Sequence, residues 1–149
     1  MTTIADLHRR RHEIMEMAAA VEKLLTPEQM AIPSIAKVTH ILLCDLCAAM
    51  TDHLSDEHKS IYPSLLTHED QSVKNMAWGL INNDKLLKPE FSSYKRKWLR
   101  DCEFQFTDDF IRDTTTILET LRQRMALEER TVVPRIEEAE ILAAAEEPA

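Results

Sequence analysis

An all-α fold, an up-down-up-down four-helix bundle, is what this sequence predicts, and three observations predict it. Leu, Ala, Glu, Lys, Met and Arg dominate the chain, and all are good helix formers. Strand-type runs of alternating β-branched residues are absent; there is one Gly, and six Pro mark the breaks. Apolar residues recur with the 3.6-residue period over long stretches joined by short connections. The 149 residues are one domain's worth, enough for a single core without staples. We divide them into a bundle over residues 1–140 and an acidic tail at 141–149.

The first helix is expected from about Thr3 to Leu25, with Ile4, Leu7, Ile14, Ala18, Val21 and Leu25 as its apolar stripe. Thr26-Pro27-Glu28-Gln29 reads as a capping box with Pro at the first helical position, opening a short turn that ends before Pro33. The second helix is expected from Ser34 to Leu66. Leu42, Leu43, Leu46, Met50, His53, Glu57 and Ile61 share one face, so a polar pair sits on the buried side. Pro63 lacks the donor that would bond the Lys59 carbonyl and is expected to kink the helix. A third helix follows from Gln71 to about Trp98, irregular near Pro89, and Leu99 to Phe106 is a connection. Thr107 caps a fourth helix with Asp108 and Asp109 in its first turn. That helix runs to about Val133 on the stripe Phe110, Thr114, Ile117, Leu121, Arg124, Glu128 and Val132.

The net charge of −8 argues against a nucleic-acid binder, whose footprint is a basic patch. Arg9-Arg10-Arg11 is short and reads as a solvated helix face. The N-terminal stretch has no apolar h-region, and no apolar run approaches a membrane span, so a cytoplasmic protein without membrane contact is expected. Cys44, Cys47 and Cys102 then read as reduced thiols.

One phrase organises the chain. His53 and Glu57 stand four apart, one turn above the other on a helix, which is metal-ligand spacing. A constant offset carries Glu57 onto Glu128, Ile61 onto Val132, Pro63 onto Pro134 and Leu65 onto Ile136. It carries His53 onto Arg124 and His12 onto Asn83. The echo suggests two helix pairs related by a pseudo-two-fold. Bundles build metal sites from inward side chains on facing helices. The candidates are His12 or His8 from the first helix, His53 and Glu57 from the second, and Glu128 from the fourth. Two buried carboxylates on facing helices repel and need something positive between them.

Arg10-Arg11-His12-Glu13-Ile14, then His53-x-x-x-Glu57 with Ile61-Tyr62-Pro63, then Glu128-Glu129 with Val132-Val133-Pro134, carry a resemblance. In these residues the chain resembles the hemerythrin family in its bacterial HHE form, over nearly its whole length. The resemblance implies a four-helix bundle holding two irons on five His and two bridging carboxylates. It implies His12 and His53 on one metal, with Glu57 and Glu128 bridging to the second. The chain departs from the pattern at Arg124, in the helix-three positions around Asn83, Asp84 and Lys85, and in having no His after His68. Arg cannot be deprotonated in a protein, so Arg124 is no ligand.

The expectation is a single iron, or another divalent ion such as zinc, held by His12, His53, Glu57 and Glu128. Arg124 and Lys85 would supply the charge of the lost second metal. Such a protein would serve oxygen, nitric oxide or redox sensing, or iron handling, with a small diatomic ligand as its partner. The alternative is a metal-free interaction or regulatory module, with a protein partner, in which Arg124 ion pairs replace the metal. Two-electron dioxygen binding needs two irons, which this ligand set does not support.

Other features read as structural. His40, Cys44 and Cys47 share a face pointing away from His53 and are expected to be small core or interface groups rather than a redox pair. His58 and His68 are expected to be exposed, and Trp78, Trp98 and Phe104 to be packing anchors. There is no nucleophile elbow, Gly-rich phosphate loop or Ser/His/Asp pattern, so nothing local supports enzyme activity.

Overall fold

Helix boundaries fall where the caps and prolines put them. The computed structural model describes residues 4–100, 107–135 and 137–138, and among these every regular element is helical. Helix α1 spans Ile4–Leu24 and α2 spans Pro27–Met30, where the Thr26 side chain accepts from Gln29 N–H as a cap. Helix α3 spans Pro33–Asp56, passes through a π-helical turn at Glu57–Ile61, and continues as α4, Tyr62–Leu66. Helix α5 spans Gln71–Trp98 behind Asp70, whose side chain accepts from Ser72 N–H, and it stays continuous through Pro89. Helix α6 spans Asp108–Arg130, and residues 132–135 add one more turn. Thr107 has the extended backbone of a cap, but its side chain makes no capping bond, contrary to expectation.

Pro63 does not end its helix. The turn before it widens, and Tyr62 N–H bonds the Glu57 carbonyl five residues back. This relieves the clash between the Pro63 ring and the preceding turn. Cys102, Phe104, most of the Leu99–Phe106 connection, Ile136 and the tail at 141–149 lie outside the described residues.

Helix α1 packs on α3 and α6, while α5 packs on α3, α4 and α6. Two apolar clusters result. Ile14, Leu46, Met50, Leu87, Leu121 and Met125 belong to the larger; Leu7, Ile61, Tyr62, Leu80 and Val132 belong to the smaller. Between them each long helix places a polar residue inward: Arg11, then His53 and Glu57, then Asp84, then Arg124 and Glu128. The order along the chain alternates. Helices α1 and α5 pass from the small cluster to the large, and α3 and α6 from the large to the small.

Three expectations are corrected here. Arg9-Arg10-Arg11 is a solvated face only at Arg9: Arg10 pairs with Asp56, and buried Arg11 pairs with Glu129 and donates to Met125 O at 2.7 Å. Trp78 is no packing anchor, being 53% exposed, while Trp98 is half-buried, packs edge-on to Phe110 and donates to Asp113. Pro33–Leu66 is, by length and composition, apolar enough to cross a membrane, with a best-window mean hydropathy of 1.3. It buries Leu43, Leu46 and Met50 against other helices, as the core helix of a folded domain does.

Candidate metal centre

The centre forms where the repeated phrase meets itself. Residues four apart on one helix stack on one face, so α3 and its π turn present His53 and Glu57 together, and α6 presents Arg124 and Glu128 together. All four are buried. His53 Nε2 lies 2.6 Å from Glu128 Oε1 and 2.8 Å from Glu57 Oε1. On the far side of the carboxylates, Arg124 Nε donates to Glu128 Oε2 at 3.0 Å and Nη2 donates to Glu57 Oε2 at 3.2 Å. The two carboxylates are thus held between an imidazole and a guanidinium.

Arg124 is the largest fully buried side chain among the described residues, and its five N–H donors are all engaged. Besides the two glutamates, Nη2 donates to Tyr62 Oη at 2.7 Å. Nη1 donates to Asn83 Oδ1 at 2.7 Å and to Leu80 O at 3.4 Å, and it lies 2.7 Å from Asp84 Oδ1. Tyr62 in turn donates to Asp84 Oδ2 at 2.7 Å. His58, expected to be exposed, is half-buried with Nε2 3.1 Å from the same Asp84 oxygen and its ring edge-on to Tyr62.

Charge decides how this layer is held. Glu57, Glu128 and Asp84 bring three buried carboxylates against one guanidinium. Burial would lower the His53 pKa, but hydrogen bonding and charge from Glu128, then Glu57, push it up to about 9. Burial lifts the Glu57 carboxyl above its ordinary value, and the adjacent Glu128 charge adds to that. Burial acts on Glu128 too, yet the hydrogen bond and charge of His53, then the Arg124 charge, hold it below its ordinary value. The asymmetry has a geometric cause. His53 Nε2 carries one proton, which Glu128 receives, leaving Glu57 Oε1 buried with no hydrogen-bond partner.

Three donor atoms, one each from His53, Glu57 and Glu128, lie within 4.8 Å of one another. One nitrogen and two carboxylate oxygens suit zinc or iron. An orphaned buried carboxylate oxygen facing an imidazole nitrogen is what such an ion would satisfy, so the residues fit the group. The contacts as they stand have hydrogen-bond lengths.

Not every candidate converges. His12 is 72% exposed and pairs with Glu16 on its own helix, and His8 is 47% exposed beside Glu137. The inward stripe of α1 is Leu7, Arg11, Ile14, Ala18 and Val21, so both His are rotated out of it. Lys85 is exposed; its neighbour Asp84 takes the inward place. Asp84, Tyr62 and Arg11 stood in the sequence pattern but were given no role in the polar layer. Their signal was present, since Asp84 lies on the four-three stripe Ala77, Leu80, Asp84, Leu87, Phe91. His40 is buried with Nε2 donating to Leu99 O at 3.1 Å, and burial pushes the Cys47 thiol up to about 11, which makes it an inert thiol.

No protein-family model, curated protein or solved structure matches this chain.

Proposed function

We propose that this chain is a hemerythrin-like, up-down-up-down four-helix bundle that holds one divalent ion, iron or zinc, on His53, Glu57 and Glu128. The observation that carries the reading is the orphaned Glu57 Oε1, buried 2.8 Å from the His53 nitrogen already bonded to Glu128. Three further features support it. The two apolar clusters occur in alternating order along successive long helices, as antiparallel neighbours require. The repeated phrase meets itself at the centre. A cleft of about 330 Å³ lined by Arg9, Arg10, Glu13, Asp52 and His53 reaches the His53 end of the centre.

Arg124 occupies the place of a second ion in this reading. A single ion with open coordination positions suits sensing of a small diatomic ligand or of redox state, or iron handling. His53, as a neutral imidazole, and the two carboxylates supply the donors; Arg124 fixes the carboxylates' outer oxygens. His12 and Lys85 have no part in it.

A second reading has its own observation. Every Arg124 donor is engaged, so the buried carboxylates already have a cation without metal, and the chain is then an interaction module. Anaerobic purification, metal counting by mass spectrometry and visible spectra before and after air separate the two. One ion per chain, lost in His53→Ala and Glu128→Gln, is expected. Two irons, or no ion together with a melting temperature indifferent to chelator, overturns the single-ion reading.

A further inference from the structure

Two cavities, of about 510 and 220 Å³, adjoin between α3 and α5 and share Ser92 and Lys95. Their floor is apolar, made by Cys47, Met50, Leu54, Phe91 and Leu99. Their rim on the α5 side is cationic, with Lys88, Lys95 and Arg96 on α5 and Arg100 just past its end, and among the described residues no carboxylate lines either cavity. Among the described residues none of these four cations forms an ion pair, whereas Lys97, also on α5, is tied to Asp113 at 2.9 Å. A chain of net charge −8 has acids to spare for neutralising cations. Four left together along one groove create a local positive field that attracts an anion.

The groove's dimensions limit the occupant. Lys88 to Arg100 rises about 18 Å at 1.5 Å per residue. Spread over that length, the two cavities average roughly 40 Å² in cross-section, half the ~80 Å² of a helix 10 Å across. One extended chain fits this section.

We propose that the α3–α5 groove binds a small organic anion with an extended apolar tail, such as a medium-chain carboxylate. The tail lies on Met50, Leu54 and Phe91, and Lys95, Arg96 and Arg100 hold the anionic end by charge-assisted hydrogen bonds. The centre at His53 plays no part, so the proposal is independent of metal binding.

Calorimetric titration of the full chain with dodecanoate, below its micelle concentration, tests this. Saturable binding of one dodecanoate per chain is expected, with dodecylamine failing to bind. Lys95→Glu with Arg96→Glu should weaken dodecanoate at least about tenfold. Ser92→Trp, which fills the waist shared by the two cavities, should weaken it independently of charge. Both variants are checked by circular dichroism for retained helix content. Absence of saturable binding overturns the proposal, as does binding unchanged in both variants. Binding of an acidic amphipathic peptide with none of dodecanoate overturns it in favour of a protein partner.

Discussion

His53 Nε2 lies 2.6 Å from Glu128 Oε1, joining α3 to α6 through a charged hydrogen bond in the interior. Glu128 keeps a charge there because His53 carries one, and His53 carries one because two carboxylates face it.

That coupling fixes a pH dependence. The folded pKa of His53 is about 9 and its ordinary value 6.5, so its contribution is fully present below pH 6.5. It is lost as pH rises through about 9, and a shift of this size is worth on the order of 3 kcal/mol. Urea unfolding at pH 6, 7.5 and 9 should show the metal-free protein losing stability over this window. His53→Gln should flatten the slope, and an equal slope in that variant would sink the assignment.

A bound ion reverses the sign. It needs a neutral imidazole, so loading competes with the His53 proton and improves with pH. Added zinc should therefore raise the melting temperature more at pH 9 than at pH 6. An equal rise at both would place the ion elsewhere than His53.

Much of this was legible in the residues, and the reasons differ by element. Periodicity gave the helices because caps and prolines are local. The α6 stripe, with Arg124 and Glu128 among apolar neighbours, is buried as read. The offset repeat put Glu57 opposite Glu128 because both halves use the same register. His12 failed because a quarter-turn of helix separates it from Arg11, and the motif favoured the familiar ligand over the stripe. Lys85 failed against Asp84 by the same single step. The π turn was hidden because it is a backbone accommodation to Pro63 rather than a side-chain pattern.

Arg124→Met should be the most damaging single change in the layer. It leaves Glu57, Glu128 and Asp84 buried with their common cation gone, a loss of about 3–5 kcal/mol. Chemical denaturation measures it. Added zinc should restore part of that stability, because an ion then replaces the missing charge; no recovery, with a stable variant, would count against a metal-competent centre.

Tyr62→Phe isolates one neutral link. Its hydroxyl donates to Asp84 Oδ2 and accepts from Arg124 Nη2, both at 2.7 Å. Removal leaves one buried acceptor and one buried donor short, for a cost of about 1–3 kcal/mol. Burial, then the Glu57 charge, raises the phenol's pKa, so Tyr62 stays neutral and the loss should not vary between pH 6 and 9. A loss confined to high pH would mean that the phenol ionises.

Arg11 and His12 give the sharpest contrast, because adjacent residues on α1 face opposite surroundings. Arg11 reaches α6, donating to Met125 O at 2.7 Å and pairing with Glu129, while His12 meets only Glu16 at the surface. Arg11→Ala removes a buried donor to a carbonyl and the packing of its stem, a loss of about 1–3 kcal/mol. His12→Ala should stay within about 0.5 kcal/mol of the parent. It should also leave the metal count and the zinc-dependent rise in melting temperature unchanged. A His12→Ala protein that lost its ion would return that histidine to the ligand set, and α1 would have to turn by about one residue, roughly 100°, to bring it in.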